Sequence, residues 1–266
     1  MPTQAFARSF IYNDIDKAQR YWNQFKPSEI DCLSFHENWK SIIPHLEQVS
    51  AQNCVQVLLW NILSNHFIYE VDKRNVAGYD PSLYLADNGV DFLMSNFHPL
   101  FLTAILSLLL RGFNYLISNK QDIYSAVINV DFLVRKSNGV YMHCLQQTTC
   151  IAADDNKHPI LLLSYIHDIT YLKKEKTTNL VITIPDEVKW WNYDFDTNSI
   201  EVVQPLSKQE KIILFHLANG KSSKDIAKEL FISPLTIDTH RRHLLKKTNC
   251  LNTTGMITYA KLVGLF

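Results

Sequence analysis

Gly220-Lys221-Ser222-Ser223-Lys224-Asp225-Ile226-Ala227 is followed closely by Ile232-Ser233-Pro234 and then by Thr236-Ile237-Asp238-Thr239-His240-Arg241-Arg242. The spacing predicts two short helices joined by a tight turn. Gly220 suits the residue just past a helix end, where the backbone turns left-handed. Ser222 or Ser223 caps the next helix, which carries Ile226, Ala227 and Leu230 inward. Ser233 is a good N-cap, and Pro234 fits the first helical position, where its missing N–H costs nothing. The helix over 234–248 then places Ile237, Leu244 and Thr248 on one face with His240 beside them, a packed scaffold position. Asp238, Thr239, Arg242, Lys246 and Lys247 lie outward. Upstream, Ser207 and Glu210 have capping-box spacing and open a helix over about 207–219 with Ile212, Ile213, Phe215, His216 and Leu217 as its apolar face. A fourth apolar helix is predicted over 253–266.

Charge separates this module from the rest. Residues 206–266 hold ten Lys/Arg and four Asp/Glu, a net of +6, whereas 1–205 carry a net of −6, so the neutral total hides a basic unit joined to an acidic one. Concentrated positive charge is the footprint of a polyanion partner. A helix with an apolar stripe behind and cations and hydroxyls in front fits the major groove of duplex DNA.

These residues, in this order and spacing, resemble the LuxR-type (GerE-type) helix-turn-helix. The resemblance covers the whole module, about a quarter of the chain. It implies that the third helix enters the major groove and that the fourth commonly pairs two modules. Asp238, Thr239 and Arg242 become the expected base readers. Lys224, Thr236, Lys246 and Lys247 become the expected phosphate contacts, with Arg241 adjoining them. Three positions depart from the family pattern: Gln209, Asp238 and Thr254 each stand where a cation is common. Asp238 either accepts from a cytosine amine or complements the helix dipole.

The other two hundred residues suffice for one sizeable unit plus extra helices. An apolar content of 47% with 20% charged residues describes an ordinary globular chain. The apolar run 100–110 is only eleven residues before Arg111, which argues against a membrane span, and the first residues lack the apolar stretch of a signal peptide. Cys32, Cys54, Cys144, Cys150 and Cys250 are scattered without a Cys-x-x-Cys. That set argues against a disulfide framework or zinc site and suits a reducing cytoplasm. The chain shows no Gly-rich phosphate loop, metal-ligand motif or nucleophile elbow, so the expectation is a non-enzyme with no required cofactor or metal.

Residues 67–72 read as a strand, with 73–79 as a turn into a second. Three longer strands are predicted over about 125–135, 140–152 and 160–168, with Ser137-Asn138-Gly139 as a hairpin turn. Two strands, helices, then three antiparallel strands resembles a PAS domain. So do the hairpin Arg135-Lys136-Ser137-Asn138-Gly139-Val140-Tyr141, the turn Phe97-His98-Pro99-Leu100 and the ending Ile166-His167-Asp168-Ile169-Thr170. The resemblance spans about 66–170 and implies a small-molecule pocket or a ligand-free dimerising switch. Tyr141, Cys144, Leu162, Tyr165 and Phe113 either line such a pocket or fill a closed core. His98 and His143 are read as ordinary turn and sheet residues rather than haem ligands. Before this unit a helical region is expected over 1–65, with amphipathic helices at about 15–25 and 49–67. After it, 171–205 is a connector with a hairpin about Asp196-Thr197-Asn198-Ser199. Its Trp190, Trp191, Tyr193 and Phe195 are too apolar for a free linker.

The fold class expected is therefore α+β: a PAS-like antiparallel sheet with helices, preceded by helices and followed by a four-helix helix-turn-helix unit over 206–266. The implied function is a cytoplasmic, homodimeric transcription regulator in which the PAS-like unit controls DNA binding. The alternative is a PAS-based interaction or dimerisation adaptor with only weak, non-specific DNA tethering. Salt-resistant, site-specific protection of DNA separates the two.

Overall fold

The computed structural model describes residues 39–119, 122–155, 157–173 and 177–266. The helix expected over 15–25 lies outside them. A short 3-10 turn leads into α1 (Ile43–Asn53), then β1 (Val55–Asn61) and β2 (His66–Val71). Three helices follow, α2 (Ser82–Leu85), α3 (Gly89–Ser95) and α4 (Pro99–Ser118). Next come β3 (Val127–Arg135), β4 (Tyr141–Ala153), β5 (Pro159–Asp168), β6 (Asn179–Ile184), β7 (Glu187–Asp194) and β8 (Ser199–Val202). Four helices close the chain: α5 (Lys208–Ala218), α6 (Ser223–Leu230), α7 (Pro234–Thr248) and α8 (Thr253–Leu262).

The strands form one antiparallel sheet in the order β2-β1-β5-β4-β3-β6-β7-β8. Its first five strands, with α2–α4 between β2 and β3, make the PAS-like α+β arrangement. The β3–β4 hairpin turns at the expected residues: Gly139 has φ +84 and its N–H donates to the Lys136 carbonyl at 2.9 Å.

Two faces of this sheet carry two different layers. The inner face packs on α4, burying Leu58, Phe132, Cys144, Leu162, Ile182 and Trp191 with Phe101, Ile105 and Leu108. On the outer face, α1 covers the β1–β5 side through Leu46 against Val55, Val57, Leu59, Leu161 and Leu163. The C-terminal helices cover the remainder, with Leu145, Val181 and Trp190 joining Ile213, Leu244, Met256 and Tyr259 in one buried cluster.

Four expectations need correction. The helix predicted over 49–67 stops at Asn53, and Val55-Gln56-Val57-Leu58-Leu59-Trp60 is a strand. Such a short apolar run is ambiguous by periodicity; here Leu58 faces α4 while Val57 and Leu59 face α1, so both sides are buried. Consequently the strand predicted at 67–72 pairs backward with β1. The segment 73–79 makes a loop, held by the Asp72 carboxylate accepting from the Val76 and Ala77 N–H groups.

The segment 171–205 supplies three strands where a single hairpin was expected. Leu180, Val181 and Ile182 are fully buried beside β3, so this part of the chain extends the sheet. The apolar run at 100–110 continues through Arg111, which sits on the exposed side, to make a helix of 20 residues. That helix, with mean hydropathy 1.8, is long and apolar enough to cross a membrane by length and composition. In this fold it packs against the sheet, burying Phe101, Leu102, Ala104, Ile105, Leu108, Gly112, Phe113 and Leu116.

Candidate nucleic-acid interface

Local chemistry sets each helix of the C-terminal module. Ser207 and Glu210 form a reciprocal capping box at α5, as do Ser222 and Asp225 at α6. Ser233 caps α7, accepting from the Thr236 N–H at 3.1 Å, with Pro234 in the first turn. Ile213, Leu214 and Leu217 bury from α5 with Ile226, Ala227, Ile237 and Leu244. Ile212 and Phe215, expected inward, are exposed, because α5 turns its 210/213/214/217 face to the core.

The outward side of α7 then divides into two groups. Thr236, Arg242 and Lys246 are exposed, Thr239 is half-buried and beside Arg242, and Lys224 is exposed on α6. The Arg242 guanidinium donates to Thr239 Oγ1 at 3.1 Å, which sets it along the helix face. Leu235, a residue sequence reasoning passed over, is 70% exposed at the start of the same helix.

The second group is committed to the scaffold. Arg241 donates to Ser223 Oγ at 2.8 Å and to Thr253 Oγ1 at 3.0 Å, tying α7 to α6 and α8. The Asp238 carboxylate accepts from Ser223 Oγ at 2.7 Å and stands 3.6 Å from Arg241. Lys247 reaches back to the mostly buried Glu210 at 2.8 Å. Burial would raise the Glu210 pKa, but the hydrogen bond from Lys247 and the Ser207 N–H outweigh it and hold the carboxyl below its ordinary value.

A buried polar network joins this module to the sheet. Asp131, in the middle of β3, is fully buried. Its carboxylate accepts from His143 Nε2 at 3.0 Å, Tyr259 Oη of α8 at 2.9 Å and Asn179 Nδ2 at 3.2 Å, and pairs with Lys173 Nζ at 3.2 Å. Thr178 Oγ1 donates to the Asp131 carbonyl. Trp190 Nε1 donates to Asn179 Oδ1 at 3.1 Å. Lys173 also donates to the Thr248 carbonyl at 2.7 Å and sits 3.6 Å above the Tyr259 ring. Desolvation pushes the Asp131 pKa up, yet Lys173, His143 and Tyr259 more than compensate and keep it ionised. Burial beside that carboxylate pushes the Tyr259 phenol well above its usual value.

Backbone contacts flank the network: Leu251 N–H donates to the Leu172 carbonyl at 2.9 Å, Gln147 to the Leu262 carbonyl at 2.6 Å and Thr183 to the Val263 carbonyl at 3.0 Å. Sequence reasoning named His143 and Trp190 in other roles and gave no site role to Asp131, Asn179, Lys173 or Tyr259. The available signal was Asp131 itself, a lone charge inside the apolar strand Val127-Ile128-Asn129-Val130-Asp131-Phe132.

The five pocket residues do not converge. Phe113, Cys144 and Leu162 share the inner core, Tyr165 faces the α1 side, and Tyr141 stands 38% exposed with its ring 4.8 Å from His98. Among the described residues no cluster of His, Cys, Asp and Glu is arranged to hold a metal.

Comparison with known proteins places this geometry. Residues 204–260 match the family model of bacterial regulatory proteins, luxR family. The oxygen regulatory protein NreC of Staphylococcus epidermidis is 33% identical over 91 residues, covering 34% of this chain and 40% of NreC. The DNA-binding transcriptional activator EvgA of Escherichia coli K12 is 32% identical over 65 residues, 24% of this chain and 32% of EvgA. The chain thus spans less than half the length of these curated relatives. A Vibrio cholerae VqmA–ligand–DNA complex aligns over 84% of this chain and 88% of VqmA at 14% identity, with a TM-score of only 0.30. A PAS/PAC sensor of a Marinobacter aquaeolei diguanylate cyclase aligns over 44% and 95%, also at 14%, with a TM-score of 0.33. The C-terminal module is a LuxR-type helix-turn-helix domain.

Proposed function

We propose that this chain is a transcription regulator in which a PAS-like sensor unit controls a LuxR-type module that reads duplex DNA. The partition behind this reading is a helical segment, a sensor sheet beginning at β1, the strands of 171–205 and the DNA-binding module of 206–266. The observation that carries it is the exposed stripe on α7, where Arg242 is aligned by Thr239 over a packed hydrophobic base.

In this reading Arg242 and Thr239 meet base edges, and Leu235 packs on thymine methyl groups. Thr236, Lys224 and Lys246 hold phosphates. Asp238, Arg241 and Lys247 act mainly by fixing α7 against its neighbours, and reach DNA only by giving up those contacts. Action in the cytoplasm, where such DNA is accessible, and pairing of two copies on an inverted repeat with half-sites about 10 bp apart belong to the same proposal.

Footprinting across a salt series tests it. Site-specific protection that persists at moderate salt is expected. Uniform protection erased by salt would instead indicate a tether serving an interaction protein. Native mass spectrometry of the full chain reports subunit count and any retained small molecule in one measurement.

A further inference from the structure

A cleft of about 700 Å³ lies in the seam between the sensor sheet and α8. That is within the size of small-molecule sites, roughly 300–1,000 Å³. It is walled by the loop after β2, the β3–β4 turn and the chain leaving β5 on one side, and by Thr258 and Leu262 of α8 on the other. Two cations line it. Arg74 is fixed by its Nε donating to the Ala51 carbonyl at 2.8 Å. Lys136 stands 3.7 Å from the Asp168 carboxylate, a long pairing. Asp168 also lines the cleft; its Oδ1 accepts from the Thr170 N–H at 3.0 Å and the Thr170 hydroxyl at 2.6 Å, which leaves only Oδ2 to the long Lys136 pairing. His167 lines the same cleft with its Nε2 buried and unpartnered. Burial pushes its pKa down to about 4, so the ring is a neutral hydrogen-bonding group there.

We propose that this cleft binds a small anionic metabolite, carboxylate- or phosphate-bearing, held by Arg74 and Lys136 and contacted from α8 by Thr258. Such a ligand touches the exit of the sheet and the module at once, so its occupancy biases the docking between them. That consequence rests on the regulator reading; the binding itself does not.

The test titrates the full chain calorimetrically with inorganic phosphate and, separately, with succinate at constant ionic strength. Saturable binding of at least one is expected in the micromolar to low millimolar range, and which one separates a phosphate from a carboxylate ligand. Arg74→Ala combined with Lys136→Ala is expected to weaken it by about tenfold or more through loss of charge-assisted hydrogen bonds. Thr258→Trp, which fills the cleft from the other wall, is expected to do the same at unchanged melting temperature. The proposal is overturned if neither anion binds saturably, if both altered proteins bind like the original, or if Arg242→Ala is what removes binding. Footprinting with the unaltered chain keeps the two readings apart: no saturable anion binding with a site-specific footprint removes the cleft alone, and saturable anion binding without such a footprint removes the regulator alone.

Discussion

Two cations five residues apart on α7 illustrate how contacts, more than charge, set a residue's role. Arg242 is exposed and lightly held, whereas Lys247 is spent on Glu210. Arg242→Ala is therefore expected to weaken specific DNA binding by about 1–3 kcal/mol, the worth of a bidentate guanine contact, with no change in melting temperature. Lys247→Ala is expected to do the converse, lowering stability by leaving the mostly buried Glu210 without its partner; paired thermal melts and footprints compare them. Glu70 offers a pH-dependent case. It is 6% exposed, Gln56 donates to one of its oxygens at 3.0 Å, and the other is buried without a partner. Burial pushes its pKa up from 4.5 to about 7. The folded state thus binds the proton more tightly than the unfolded one, and stability falls as pH rises from 4.5 to about 7. Glu70→Gln is expected to stabilise the chain by roughly 2 kcal/mol at pH 8, after discounting for solvent screening, and by almost nothing at pH 4. Equal gains at both pH values would show that the carboxyl is not the cause.

Adjacent residues of β7 face opposite sides of the sheet, and their roles follow from that alternation. Trp191 enters the inner core with its ring 5.7 Å from Tyr115, while Trp190 faces the helix-turn-helix module and holds Asn179. The sequence marks both as too apolar for a linker, but period-2 alternation has no meaning until the strand's neighbours are known. Trp191→Ala is expected to cost about 3–5 kcal/mol of stability as a core truncation. Trp190→Ala is expected to loosen the docked module as well, seen as faster proteolysis between the sheet and α5. If Trp191→Ala instead leaves stability intact and abolishes signal response, the aromatic pair is a moving part rather than a static core. The first strand shows the same limit from the other direction. Residues 55–60 carry a pattern that the sequence reading assigned to a helix over 49–67, and it is the layers on both faces that make them a strand.

For the whole molecule, the decisive contact is the docking of α8 on the sheet. The family resemblance implies pairing of two modules through this helix, but the sheet of its own chain buries Met256, Tyr259 and Ala260 together with Leu145, Val181 and Trp190. The exposed stripe of α7 stays accessible in this arrangement, so docking occupies the fourth helix while leaving the reading surface open. Tyr259→Phe removes one hydrogen bond to a buried carboxylate and is expected to weaken docking by about 1–3 kcal/mol. A larger radius of gyration in solution scattering, with the module still folded, checks this; an unchanged radius and unchanged protease resistance would show that the packing of Met256 and Ala260 suffices. The sequence by itself determined the helix-turn-helix module, because its caps, turns and apolar stripe are local features that act within a few residues. It also determined the β3–β4 hairpin and the three long strands β3, β4 and β5, but not the first strand, which it read as helix. Only the tertiary structure decided that β6–β8 extend the sheet, and that Asp131, His143, Lys173 and Tyr259 meet in one buried network. Those residues lie up to 128 positions apart, and a buried charge finds its partners through the path of the backbone in space, which no local pattern encodes.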